Sequence, residues 1–231
     1  MKKILFIGSK DKTDLTMYLA QIFTQLNLKT MIIDTTLKQK YQKAYTNLKD
    51  KGLYNFSDVD ILCGASSFNE ASEITRNNDE DISSYEMLLV DVDEKTYVKD
   101  WPIFDHVIYV GDYERLTMVE DSELLLAFLD EYGDQRNFIR ISHHIDSDIR
   151  EDYFNELINH SVTWSDKHFL IELDERNLEN KICMQYTMMA TFKKLTRPYK
   201  NLLKQLVTAI LGFHEKDTRS AMKRRERSLN Q

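Results

Sequence analysis

The sequence predicts an α/β domain built on a mostly parallel central sheet with helices on both faces. Three observations lead there. Short apolar runs alternate with longer amphipathic ones, the order expected of parallel strands joined by covering helices. The run Met87-Leu88-Leu89-Val90 is apolar without alternation, as a strand buried on both faces requires. Neither an internal repeat nor a low-complexity linker interrupts the 231 residues, enough for one large domain.

The elements follow in order. Ile4 to Ile7 is too short for a helix and is closed by Gly8, so it reads as a strand. Leu15, Leu19, Ile22, Phe23 and Leu26 recur at spacings of three and four, giving a helix over 13–28 with one buried stripe. Thr30 to Ile33, ending at Asp34, is the next strand. Residues 65–84 are polar and acidic and read as an exposed loop or short helix. Strands follow at 85–92 and at 106–110, the latter stopped by Gly111. A helix over 114–132, a strand over 137–141, a helix over 147–160 and a strand over 168–173 continue the alternation. A helical stretch over 178–211, broken near Pro198, closes a single domain of residues 1–214.

Residues 215–231 stand apart by charge. Six basic side chains (Lys216, Arg219, Lys223, Arg224, Arg225 and Arg227) face three acidic ones there, against a net charge of −7 for the whole chain. The segment, dispensable for folding, reads as a solvated tail or, alternatively, as a weak contact for anionic lipid, DNA or an acidic partner. The acidic remainder repels nucleic acid in general. With 42% hydrophobic residues the chain has material for a sizeable core. Cys63 and Cys183 are far apart and lack metal-ligand spacing, so they read as small hydrophobes in a reducing compartment. No stretch approaches a transmembrane span, and a cytoplasmic location is expected, with a peripheral place at a membrane or assembly supplied by contacts.

In an open parallel sheet, ligands bind beyond the carboxyl ends of the strands. Three such ends carry polar groups: Gly8-Ser9-Lys10-Asp11-Lys12-Thr13, Asp34-Thr35-Thr36 and Asp91-Val92-Asp93. A phosphate-binding loop uses glycines to turn consecutive backbone N–H groups toward phosphate oxygens. A lysine then neutralises the outer phosphates, and a Thr or Ser hydroxyl binds magnesium. The first segment has the strand, the loop, the Lys-Thr pair and the helix start in that order. Gly8 is its only glycine, and Asp11 precedes Lys12 where a glycine is wanted. Taken alone, the segment also reads as an ordinary strand–loop–helix connection with Asp11 or Thr13 capping the helix.

The opening Ile4-Leu5-Phe6-Ile7-Gly8 through Lys12-Thr13 to Leu19-Ala20 resembles the start of ParA/MinD proteins, including their TadZ/CpaE relatives. Those begin with a strand, a KGGxGKTT loop and a helix containing a Leu-Ala pair. Leu28 to Asp34 resembles the family's second strand, Tyr85 to Asp91 its Walker B strand, and Phe104 to Val110 the strand after it. The resemblance implies the P-loop NTPase fold, ATP and Mg²⁺ as ligands, and homodimerisation. By position it implies nucleotide contacts from Gly8, Ser9, Lys10, Lys12 and Thr13, and magnesium held by Thr13 and Asp91. It gives Lys12 and Asp34 catalytic roles. The family's second lysine, which reaches across a dimer, falls on Ile7 or, with a shortened loop, on Lys10.

The departures from that pattern are specific. The glycine pair is absent, Asp14 replaces a threonine, Thr36 stands where a second acidic residue often follows, and Ser142 replaces an adenine-contacting asparagine. The expectation is therefore a degenerate pseudo-ATPase that positions, scaffolds or regulates a larger assembly of protein partners: a pilus, secretion, conjugation or segregation machinery. The alternative is an active partition or localisation ATPase using Lys12, Thr13 and Asp91. His143-His144 with Asp146 and Asp148 lacks a recognised metal-ligand spacing and reads as a loop. Tyr41, Tyr45, Tyr54, Phe56, Trp101 and Phe104 lie among acidic residues, so they read as core or a protein interface rather than a base-stacking platform.

Overall fold

A computed structural model describes residues 1–47, 50–133, 138–144 and 152–229. Its strands are β1 (Lys2–Ile7), β2 (Thr30–Asp34), β3 (Gly52–Phe56), β4 (Val59–Cys63), β5 (Met87–Val92), β6 (His106–Gly111), β7 (Phe138–His144) and β8 (Trp164–Glu172). Its helices are α1 (Thr13–Gln25), α2 (Lys40–Tyr45), α3 (Phe68–Asn77), α4 (Arg115–Tyr132), α5 (Asp152–Leu157), α6 (Glu175–Thr187), α7 (Arg197–Leu211) and α8 (Glu215–Ser228). The strands form one sheet in the order β3-β4-β2-β5-β1-β6-β7-β8, parallel throughout except for the β3–β4 hairpin at one edge.

Side-chain alternation on the central strands divides the core in two. Ile4 and Phe6 of β1, with Ile32 and Leu89, face α1, α7 and α8 through Tyr18, Leu19, Leu203, Leu206 and Met222. Leu5 and Ile7, with Ile33 and Val90, face the α3–α5 side through Ile74, Leu125, Phe128 and Phe154. The same parity aims Asp34 and Asp91 at the α1 and α2 side, because each lies two residues beyond an apolar residue of that face, Ile32 and Leu89. Asp34 and Asp91 are register partners across β2 and β5, and Phe6 of β1 is the partner of Asp91 on the other side.

Several boundaries differ from the sequence reading. Helix α1 ends at Gln25 rather than Leu28, where Asn27 adopts φ 63°. Residues 65–84, read as a loop or short helix, hold α3, whose N-cap Ser67 accepts from the Glu70 N–H. The closing helical stretch is two helices. Thr196 caps α7 with Pro198 in its first turn, and Gly212 ends it in a left-handed conformation. Strand β8 starts at Trp164, four residues before the expected start, and part of the helix expected over 147–160 lies outside the described residues. The two hairpin strands β3 and β4 and helix α2 were not expected.

The largest departure concerns residues 215–228, expected as a solvated extension. They form α8, which lies against α1 and α7. Thr218, Ala221, Met222 and Arg225 are buried at spacings of three and four, and Ala221 and Met222 belong to the core cluster under α1. The Glu226 carboxylate accepts from the Thr191 hydroxyl and the Lys193 N–H, tying α8 to the segment before α7. Four inward side chains on one stripe suffice to seat a helix whose other positions are charged.

Removing α8 by ending the chain at Phe213 is therefore expected to lower the thermal midpoint. Met222→Ala in the full chain should cost about 2 kcal/mol or more, as for other buried methionines. Urea denaturation of the two variants checks both.

Candidate functional site

The carboxyl ends of β1, β2 and β5 meet where the chain reverses its direction of winding across the sheet, since β2 and β5 lie on one side of β1 and β6 on the other. The loop Gly8 to Lys12 leaves β1 here and enters α1. Gly8 has φ +138°, and a Cβ on it would sit 2.2 Å from the Val110 carbonyl oxygen of β6. A side chain is excluded at that position by both the backbone angle and the neighbouring strand.

Lys12 turns inward from the helix start. Its Nζ donates to the Gly8 carbonyl at 2.6 Å and the Val92 carbonyl at 3.3 Å, and pairs with Asp91 Oδ1 at 2.7 Å. Both side chains of the pair are wholly buried. Asp91 Oδ2 accepts from the Tyr41 hydroxyl at 2.7 Å. Burial raises the Asp91 carboxyl, and Lys12 and Tyr41 pull against that rise. Asp34 closes the cluster. Its Oδ1 accepts from the Thr36 N–H and hydroxyl, and its Oδ2 accepts from the Tyr41 and Gln42 N–H groups, fixing the start of α2. Burial first, with the nearby Asp91 charge adding to it, pushes the Asp34 carboxyl up to about 6.

Ser9 and Lys10 look outward and are engaged too. The Ser9 N–H donates to Asp121 Oδ1 of α4 at 2.6 Å, and the Lys10 ammonium pairs with Asp112. Asp11 Oδ1 accepts from the Thr13 N–H at 3.1 Å, just before the N-cap Lys12, which itself makes no side-chain cap, while its Oδ2 is held by Lys181 of α6 at 2.7 Å. Burial opposes ionisation of Asp11, but Lys181 outweighs it and brings the carboxyl down to about 2. The Thr13 hydroxyl faces Tyr45 Oη at 3.4 Å. A cleft of about 560 Å³ opens in front of these groups, lined by Ser9, Asp11, Lys40, Asp93 and Asp121 among others. In this arrangement the Lys12 ammonium lies within 3.3 Å of three oxygens, and Asp91 lies between it and the Tyr41 hydroxyl.

No protein-family model matches the sequence, and a search of the curated proteins found no match. Solved structures do match. A ParA family ATPase from Chlorobium tepidum aligns over 89% of this chain and 98% of its own, with TM-score 0.59 at 11% identity. A plasmid partition protein from Borrelia burgdorferi, bound to AMPPNP, aligns over 91% and 100%, with TM-score 0.59 at 14% identity. A chain of the MinC:MinD cell division protein complex from Aquifex aeolicus aligns over 90% and 96%, with TM-score 0.56 at 13% identity. The fold is that of the ParA/MinD ATPases.

Within that fold the structure brings Gly8, Lys12, Thr13, Asp34 and Asp91 to one place at the strand ends. Ile7, one candidate for the second lysine's position, is a buried strand residue, and the other, Lys10, is tied to Asp112. Ser142 sits near the end of β7, two strands from β1, and bonds His168 Nε2 at 2.9 Å. Asp146 and Asp148 lie outside the described residues, and among the described residues no group of three His, Cys, Asp or Glu side chains is placed to hold a metal ion. Among the described residues no helix is long and apolar enough to cross a membrane. Sequence reasoning missed Tyr41 as a partner of Asp91, and Asp121, Asp112 and Lys181 altogether. Asp121 did leave a signal: it interrupts the apolar stripe of α4 between Met118 and Leu125.

Two outcomes follow for stability. Lys12→Ala strands a buried carboxylate and is expected to cost about 3–5 kcal/mol, most of it recovered in Lys12→Ala/Asp91→Asn, as read by urea denaturation. Asp34 titrates higher folded than unfolded, so the stability it contributes is complete below pH 4 and is lost as pH rises through about 6. Asp34→Asn should remove a fall of roughly 3 kcal/mol across that window, measured as unfolding free energy against pH.

Proposed function

We propose that this chain is a catalytically silent protein of ParA/MinD fold that works by binding. It would act as a positioning, scaffold or regulatory component of a larger assembly of protein partners, of the kind a pilus, secretion, conjugation or segregation machinery represents. One observation carries the reading: the lysine at the phosphate-loop position is wholly buried, paired with Asp91 and hydrogen-bonded to the Gly8 and Val92 carbonyls. Releasing it toward a nucleotide would leave Asp91 buried beside Tyr41 without its cation, a costly state. The single glycine of the loop supports the same conclusion.

The competing reading, an ATPase using Lys12, Thr13 and Asp91, draws on the 2.7 Å approach of Lys12 to Asp91 and on the partition protein of this fold bound to AMPPNP. Calorimetric titration with ATP and Mg²⁺, together with phosphate release from the purified protein, separates the two. No saturable heat and no turnover above a protein-free blank are expected. Turnover would establish the ATPase, and ATP-dependent dimerisation in light scattering would restore the homodimer that the fold suggests.

The charged surface supports a second contact. Lys216, Arg219, Lys223 and Arg227 are exposed and recur at spacings of three and four along α8, opposite the buried Ala221 and Met222. No apolar side chain accompanies them on that face, so a polyanion such as DNA fits better than insertion into lipid. Arg219→Glu/Lys223→Glu should leave the melting transition unchanged and weaken co-sedimentation with DNA at low salt. Equal DNA retention by wild type and variant would make the stripe merely solvated.

A further inference from the structure

Two backbone donors at the ends of the loop after β1 meet carboxylates of the same chain. Ser9 N–H meets Asp121 Oδ1 at 2.6 Å and Thr13 N–H meets Asp11 Oδ1 at 3.1 Å, and both carboxylates line the open cleft. Neither placement is accidental. Asp121 is completely buried on a helix face otherwise given to Met118, Leu125 and Phe128, a costly position for a carboxylate without partners. The surroundings are shaped to hold it. Gly111 leaves room for the Tyr109 hydroxyl beside it: a Cβ there would lie 2.0 Å from Tyr109 Oη and 3.1 Å from Asp121 Oδ2. Asp11 is fixed from the other side by Lys181, which also reaches Asp14 at 3.5 Å.

Backbone N–H groups at a strand–loop–helix junction are the groups that bind phosphate oxygens in such folds. Here each of the two has an oxyanion already. We propose that Asp11 and Asp121 are internal anions that occupy the anion-binding positions of this loop and are the residues that exclude polyphosphate from the cleft. The proposal deepens the silent reading above by naming what enforces it: two carboxylates on the loop's donors, one at each end, in direct competition with phosphate oxygens. It also makes the exclusion reversible by substitution. Asn at 121 keeps an acceptor for Ser9 N–H without the charge, and Gly at 11 removes the second carboxylate while restoring the loop's backbone freedom.

The test titrates pyrophosphate and AMPPNP, each with Mg²⁺, into wild type, Asp11→Gly, Asp121→Asn and the double variant by isothermal calorimetry, with melting curves for each. Wild type should show no saturable binding at millimolar ligand, and the double variant should bind at least tenfold more tightly than that limit. A folded double variant that stays silent overturns the proposal and leaves the silent reading standing. Tight binding by wild type overturns both. Should the double variant fail to fold, Asp11→Gly decides alone, because the Asp11 side chain is 46% exposed and its removal leaves the core intact. A smaller gain in that variant is expected, and none would overturn the assignment.

Discussion

The buried Lys12–Asp91 pair is the interaction on which the rest of this site depends. A lysine and an aspartate without solvent around them need further hydrogen bonds beyond their own pairing. That requirement fixes four pieces of chain at once. The Gly8 and Val92 carbonyls must face inward, which sets the exits of β1 and β5. Tyr41 must deliver its hydroxyl to the second Asp91 oxygen, which seats α2 over the ends of β2 and β5. Asp34, the register partner of Asp91, in turn holds the α2 backbone through the Tyr41 and Gln42 N–H groups. The polar centre and the apolar sheet are thus parts of one construction, because the parity that buries Ile32 and Leu89 also aims the two aspartates.

Charge is segregated along the chain and the fold keeps it so. Residues 193–231 carry eleven basic side chains against three acidic ones, leaving about −15 on the rest. The basic portion comprises α7 and α8, on the face of the sheet that α1 also covers, and the acidic cleft lies at the strand ends. Helix α8 resolves an apparent conflict between burial and charge by using a narrow inward stripe of Thr218, Ala221 and Met222 with Arg225, whose Nε reaches the Ala190 carbonyl. Burial lowers the Arg225 guanidinium, with the Asp58 and Glu226 charges acting against that.

The strands that were legible share a physical property. β1, β2, β5 and β6 are buried on both faces and carry unbroken apolar runs bounded by polar or glycine residues, and in β7 only Arg140 interrupts the apolar Phe138 to Ile141. The β3–β4 hairpin was not legible because Ser57 and Asp58 make its two-residue turn with φ 51° and 69°, a left-handed pair that usually advertises itself by Asn or Gly. Helix α2 is short and begins after Gln39 at φ 49°, with no side-chain cap to announce it. α8 was hidden because a count of charges cannot see which side of a helix they occupy. At the site, Lys12, Asp34 and Asp91 were legible from their strand-end positions. Asp121 and Lys181 were not, since they come from distant helices that only the closed sheet brings to the loop.

The loop after β1 and the helices over it make sense together. A phosphate-binding loop without its ligand presents donors in search of acceptors, a standing cost to the empty protein. One remedy is to keep the loop flexible and glycine-rich so that the donors can turn to water. This chain has taken the opposite course. With Gly8 as the loop's one glycine, the Ser9 and Thr13 donors meet Asp121 of α4 and Asp11, and Lys181 of α6 donates in turn to Asp11. Restoring glycine without removing Asp121 would leave an anion in the cradle, and removing Asp121 without relieving Asp11 would leave the other. Asp11 and Asp121 meet donors at the two ends of one short loop, so the scarcity of glycine and the two carboxylates belong to a single local arrangement.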